Sequence, residues 1–482
     1  MRTQRRLKLR SRTGCARCRA QHQKCDEKRP SCSRCRGAGS VCVYRNEHQL
    51  SPPRRQWAQG VASPLQNISS GYSAFMPLKD PSHAIFLDYF VRDASAAICC
   101  HETIQQDTCK AVVSAGSAFP SLLYSTLLFG ALHKASMTHP DINRRQLDIR
   151  IMELRASALS LLQAELHNTG QGNSAAVIAT TLMLANCELH FDPDASFWRS
   201  HFECASLLLA DARRQESDEP DYIGLWRLID RLSSLLEFLV SLPAPWSSKS
   251  TPAISKAYPK ELPSVESIGT IDGNMACTRD LLGVFTWITA LQDMRRFSRD
   301  CEISQLGQLS AYYVTENASE LVRIVHLMMA RDEVTPAVLS DELAGQCDES
   351  QIQAFRMANC VAHHIALIFL HRCGLELDRG ADAVKSSVAS IVQLADAMPK
   401  HSGIHPSIVL TTALFVAGCE AIGRARRDIR SLLQEQYAIT RNQSAKRTLQ
   451  QLEILWGLAQ DDSGADKGCF PTSIVSDDFV PY

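Results

Sequence analysis

The chain has 482 residues, 45% of them hydrophobic and 21% charged, with 51 basic side chains set against 51 acidic ones. This length exceeds what one core usually supports, and the composition excludes a disordered chain. Eighteen cysteines would suit a secreted disulfide protein, but the first twelve residues, MRTQRRLKLRSR, are basic and lack the apolar core of a signal peptide. An intracellular location is therefore expected. No stretch reaches the eighteen or so uninterrupted apolar residues of a helical span, so no membrane partner is expected.

The zero net charge is unevenly distributed. Residues 1–55 hold 16 Lys and Arg against three acids, which leaves 35 basic and 48 acidic side chains for the rest of the chain. A head of +13 thus precedes a body of −13. Basic side chains clustered in so short a stretch gain most by neutralising phosphates, which points to a polyanion partner. The arm over residues 1–12, with Arg5, Arg6, Lys8, Arg10 and Arg12, also fits a nuclear import signal, and hence the nucleus.

Six cysteines follow in close succession: Cys15, Cys18, Cys25, Cys32, Cys35 and Cys42. Their spacing, C-x2-C-x6-C-x6-C-x2-C-x6-C, is a repeat of period 17, and Cys15-Ala-Arg-Cys-Arg19 matches Cys32-Ser-Arg-Cys-Arg36. A C-x2-C loop offers two thiolates on one tight turn, the usual start of a tetrahedral zinc site. Six thiolates cannot fill two separate four-ligand sites, but they fill two sites that share two sulfurs. Symmetry makes the shared pair equivalent residues, and the natural choice is Cys15 and Cys32. One Zn2+ is then held by Cys15, Cys18, Cys25 and Cys32, and a second by Cys32, Cys35, Cys42 and Cys15. The segment has hardly an apolar side chain, so the metal must supply the folding energy, on the order of 10 kcal/mol. A disulfide framework is the competing reading, and the absent signal peptide weighs against it.

The stretch from Gly14 through Cys15, Cys18, Cys25, Asp26, Pro30, Cys32, Cys35, Gly39, Cys42 and Tyr44 resembles the Zn2Cys6 binuclear cluster of fungal Gal4-type transcription factors. The resemblance implies two zinc ions per chain bridged by the first and fourth cysteines, with a short helix in each half. It further implies a nuclear, sequence-specific regulator of RNA polymerase II transcription that binds double-stranded DNA, commonly at CGG-like half-sites, in a fungal metabolic pathway or gene cluster. Bases would be contacted between the second and third cysteines. There, Gln21 and His22 depart from the family's usual basic residues, and Gln prefers adenine where Lys suits guanine. Arg17, Arg19, Lys24, Arg34 and Arg36 read as phosphate contacts that position the module. This assigns residues 13–45 to DNA binding.

Residues 46–80, rich in Ser, Pro, Gly and Gln, read as a flexible linker. Gly60, Pro64 and Gly71 interrupt the one helix-like run, so no coiled coil is expected there. Monomeric binding and a homodimer through the helical domain both stay open.

From residue 81 to about 460, apolar residues recur at three- and four-residue spacing. The pattern predicts helices over 85–91, 122–133, 149–166, 175–189, 197–209, 222–240, 281–294, 321–329, 352–371, 384–398, 408–422 and 449–458. A large all-α domain follows, broken by a loop near 243–275 that holds five prolines between Pro243 and Pro263. Phe86-Leu-Asp-Tyr-Phe90, Leu127-Leu-Phe-Gly-Ala-Leu-His133 and Phe197-Trp-Arg-Ser-His-Phe202 with Ala205 and Leu207 resemble the fungal-specific transcription factor domain. That resemblance implies a regulatory role, with coactivators or corepressors as partners.

No catalytic motif stands out: G-x-S-x-G, G-x-x-x-x-G-K-[ST] and H-E-x-x-H are all missing, and a non-enzyme is expected. His363, His364 and His371 read as packed residues of one helix. Cys99, Cys100 and the other ten cysteines read as buried apolar residues, with redox sensing at Cys99 or Cys100 as the alternative. The acidic tail over 461–482 ends Asp477-Asp-Phe-Val-Pro-Tyr482, an activation-like pattern that a frayed terminus also explains.

Overall fold

The computed structural model describes residues 17–18, 21, 23, 25–28, 31–40, 42, 80–138, 142–168, 174–191, 197–214, 223–241, 261–300, 305–399, 404, 406–440 and 443–458. The arm, the tail, all of the expected linker but Asp80, and Cys15, Arg19, His22, Lys24 and Pro30 lie outside them. The chain divides into two compact units, 1–61 and 62–482.

In the first unit a five-residue helix, Ser33–Gly37, starts at Cys32, whose sulfur accepts the Cys35 N–H. The period of the cysteine repeat is present in the backbone as well as in the sequence. Gln21 N–H donates to the Arg17 carbonyl at 3.0 Å, and one period further on Ala38 donates to Arg34 at 3.2 Å. Gln23 donates to Cys18 at 2.9 Å, and Ser40 to Cys35 at 3.0 Å. Gly39 takes φ +58°, a conformation that glycine adopts without steric cost.

The second unit is helical, as the spacing predicts. Helix starts follow local chemistry. Asp80 accepts the Ser82 N–H at 2.8 Å and Pro81 opens Pro81–Arg92, while Asp348 and Gln351 form a reciprocal capping box on Glu349–Phe369. Between these come Glu102–Gly116, Pro120–Met137, Ile142–Asn168, Ser174–Phe191, Trp198–Arg214, Ile223–Ser241, Arg279–Asp300 and Gln305–Val334. Asp382–Ala397, Leu410–Glu420, Arg424–Thr440 and Gln443–Leu458 complete the unit.

Two of these helices organise the packing. Pro120–Met137 is met by Pro81–Arg92, Glu102–Gly116, Ile142–Asn168 and Ser174–Phe191. In the second half, every residue of Leu410–Glu420 is buried, among Glu349–Phe369, Asp382–Ala397, Arg424–Thr440 and Gln443–Leu458. A helix apolar all round is a core helix, which is why no single face of either stands out in the sequence. Gly130 lets the backbone of Pro81–Arg92 approach, since a Cβ there would stand 2.7 Å from the Phe86 carbonyl oxygen. One continuous apolar core runs from Phe86 to Leu455. Among the described residues, no helix is long and apolar enough to cross a membrane.

The stretch 261–278, which contains the described part of the expected loop (261–275), is firmly tied. Thr270–Ile271 pairs in parallel with Val338–Leu339, a two-residue ladder that sequence periodicity cannot reveal. Thr278 N–H donates to Asn359 Oδ1 at 2.9 Å, Asn359 Nδ2 donates to Asp332 Oδ2 at 2.8 Å, and Arg331 bridges Asp332 and Asp280. Trp287 Nε1 donates to the Glu261 carbonyl at 2.8 Å. These bonds pair several of the buried polar groups at this crossing, although Thr278 Oγ1 and Asp280 Oδ1 have no hydrogen-bond partner among the described residues.

Candidate zinc and nucleic-acid site

The cysteine repeat folds its sulfurs inward. Cys18, Cys25, Cys32 and Cys35 are buried, with Cys42 packed against them, although the chain around them is polar. Cys18, Cys32 and Cys35 place their sulfurs within 4.8 Å of one another, and Cys25, an Asp26 carboxylate oxygen and Cys32 form a second such group. Cys32 is the member common to both. Two sulfurs held about 2.3 Å from one zinc at the tetrahedral angle stand about 3.8 Å apart. Cys18 Sγ and Cys32 Sγ are 3.8 Å apart.

Electrostatics point the same way. The Cys35 N–H favours the Cys32 thiolate, but desolvation and the side chains of Cys35, Cys18 and Cys42 raise its pKa overall. Thiols crowded in this way ionise together only when a cation supplies the counter-charge, and a bound metal deprotonates its thiols outright. Backbone donors are already aimed at the sulfurs: Cys32 N–H at Cys42 Sγ (3.3 Å), Cys35 N–H at Cys32 Sγ (3.4 Å) and Glu27 N–H at Cys25 Sγ (3.4 Å). Such second-layer bonds orient metal ligands. The donor set and its spacing fit zinc.

Around this centre Gln21, Gln23, Lys28, Arg34 and Arg36 are exposed and Arg17 is half-buried. Arg34 Nη1 donates to Gln23 Oε1, which ties the stretch between the second and third cysteines to the helix Ser33–Gly37. Arg36 Nη2 donates to the Ser31 carbonyl at 3.3 Å. Of the residues expected to contact DNA, Arg17, Gln21, Arg34 and Arg36 are described, while Arg19, His22 and Lys24 are not.

Asp26, which the sequence reading named in the cluster motif without giving it a role, takes part in this site. Its carboxylate oxygens accept the Ser33 N–H at 3.1 and 3.3 Å, and bonding to Ser33 holds its carboxyl below the usual range. Its place in the motif, directly after Cys25 and shortly before a helix start, is the signal that points to it.

A model for the fungal specific transcription factor domain matches residues 85–473, and one for the fungal Zn(2)-Cys(6) binuclear cluster domain matches residues 13–51. The chain belongs to the fungal specific transcription factor domain family. No curated protein and no solved structure matches it. The cluster domain binds two zinc ions and DNA, and the pair of domains makes the chain a fungal DNA-binding regulator of transcription.

Within the family's helical domain, the histidines singled out earlier are packed side chains, and Cys99, Cys100, Cys109, Cys187, Cys277, Cys373 and Cys419 are buried as expected, whereas Cys204 is exposed, Cys347 and Cys360 are half-buried, and Cys301 and Cys469 lie outside the described residues. His363 is 1% exposed, and burial lowers its pKa to about 3; burial likewise takes His364 to about 4 and lowers His371. His371 sits in a π-helical turn, Leu370–Gly374, that follows Glu349–Phe369, so it does not continue the α-helical face of His364. Cys99 and Cys100 are each 2% exposed. Burial pushes the Cys99 thiol up to about 12 and raises Cys100 as well, whereas redox-reactive cysteines are accessible and of low pKa.

Proposed function

We propose that this protein is a nuclear, sequence-specific regulator of RNA polymerase II transcription, serving a fungal metabolic pathway or gene cluster. Cys15, Cys18, Cys25, Cys32, Cys35 and Cys42 hold the two zinc ions, with Cys15 and Cys32 shared. Residues 13–45 form the reader, 46–80 the linker and 81–460 the regulatory body, followed by the tail over 461–482. The body recruits coactivators or corepressors. The protein acts by binding and carries no catalysis of its own.

The observation that carries this reading is the place of Cys32 in both sulfur groups, beside an exposed polar and basic surface. Arg17, Arg19, Lys24, Arg34 and Arg36 take phosphates, while Gln21 and His22 face base edges of CGG-like half-sites. Genome-wide mapping of bound sites, joined to transcript changes on deletion, tests it. The expected result is binding upstream of a coherent set of genes at sites sharing a CGG-like triplet. Random occupancy, or loss of the protein without effect on the nearest transcripts, would sink it.

A further inference from the structure

The acidic body contains a cavity of about 510 Å3 whose lining has the opposite sign. One wall comes from Ile142–Asn168, where Arg144, Asp148, Ile151, Met152 and Arg155 recur at helical spacing and so share a face. A second wall is Gln443 and Arg447, one turn apart on Gln443–Leu458, and a third is the end of Pro120–Met137. Phe191 closes the apolar side, its ring set edge-on against Phe129 at 5.0 Å. Three arginines and one acid thus line a concave surface on a unit in which acids outnumber bases.

These arginines are held in place. Arg447 donates to the His190 carbonyl, and Gln443 Nε2 donates to the Ser136 carbonyl at 2.9 Å, which fixes the second wall to the first half of the core. Arg155 lies 3.4 Å from Glu188, and Arg144 Nε donates to Asp148 at 2.9 Å. The Arg144–Asp148 pair is exposed, with side chains 36% and 52% accessible, and exposed pairs of this kind are weak enough for an anion to compete. Arg144 and Arg155 stand about 16 Å apart along the helix. Ile151 and Met152 lie between them, so the cationic groups flank an apolar strip.

From this arrangement we infer that the cavity is a binding site for a small organic carboxylate with an apolar or aromatic body. The volume is that of an ordinary small-molecule site, typically about 300–1,000 Å3. Guanidinium groups take the carboxylate, and Phe191, Ile151 and Met152 take the apolar body. The site does not depend on the DNA reading, because every residue that forms it lies in the helical unit.

The test is titration calorimetry of the full, zinc-loaded chain with phenylbutyrate and with its neutral amide. The acid is expected to bind about tenfold or more tightly than the amide. That preference should collapse to near parity in Met152→Glu, which places a carboxylate on a side chain that is 71% exposed. It should fall likewise in Arg447→Gln, which keeps a donor for the His190 carbonyl. Unchanged melting of both variants in the absence of ligand verifies that they fold. Loss of the preference in either variant supports the site. Equal binding of acid and amide, no heat up to about 10 mM acid, or a preference untouched in both variants overturns it.

Discussion

Arg372 Nε stands 2.8 Å from Glu420 Oε2, and both side chains are 1% exposed. The pair joins the π-helical turn after Glu349–Phe369 to the last residue of Leu410–Glu420, and Arg372 also donates to the Leu377 carbonyl. Removing one charge leaves the other buried, so Arg372→Met should destabilise the helical unit by about 3–5 kcal/mol. The double variant Arg372→Met/Glu420→Leu should recover most of that loss, because paired apolar replacements carry no stranded charge. Urea unfolding of the three proteins decides the matter. A double variant no more stable than the single one would show that the pair contributes more than mutual neutralisation.

Cys32 belongs to both sulfur groups, so Cys32→Ala should remove both metals. Elemental analysis of the purified chain is expected to give two zinc per protein for the native sequence and none for the variant, with duplex binding lost in parallel. Retention of one zinc by Cys32→Ala would show that its sulfur is not shared.

DNA affinity should fall steeply with salt. If about six phosphates are neutralised, log K against log salt has a slope of about −5. Arg36→Ala should flatten that slope by about 1 and weaken all sequences alike. Arg34 is tied to Gln23, so Arg34→Ala should in addition change preference between sites. Fluorescence anisotropy at several salt concentrations, on matched and scrambled duplexes, separates the two outcomes.

Burial holds His190 and His363 neutral, each with a pKa lowered to about 3. Their folded values lie below the unfolded value of about 6.5, so the unfolded chain binds more protons as the pH falls. Stability is therefore complete above about pH 6.5 and declines below it, by roughly 1.4 kcal/mol per pH unit for each such histidine. His363 Nε2 has no hydrogen-bond partner among the described residues, so His363→Leu should cost little at pH 7 and remove one histidine's share of the acid slope. Denaturation midpoints between pH 5 and 7 measure it. An unchanged slope in the variant would place the proton uptake elsewhere.

The helical class of the body was legible because helices such as Glu349–Phe369 and Asp382–Ala397 carry apolar stripes at helical spacing, and the first of them also opens on a capping box. Glu102–Gly116 escaped notice because its buried side includes Gln105, Thr108 and Cys109, which periodicity does not score as core. Arg424–Thr440 escaped because its fully buried apolar anchors reduce to Ile429 and Leu433 among charged residues. The Thr270–Ile271 ladder depends on a partner strand far along the chain, Val338–Leu339, for which a local pattern holds no information. At the zinc site, the spacing of six cysteines announced the metal chemistry, because ligand number and turn geometry are local properties. The Gln23–Arg34 link was not legible, since it joins the two halves through side chains whose roles depend on how the halves meet.

The backbone bonds that recur at the period of the cysteine repeat make the two halves of the zinc unit geometric copies where both are described. A copied backbone cannot tell DNA which half to present. That distinction must be written in the side chains that break the repeat, where Gln21, His22, Gln23 and Lys24 stand opposite Ala38, Gly39, Ser40 and Val41. The head thus resembles a printed form with one half completed and the other left blank, and its sequence preference is a message of about four letters.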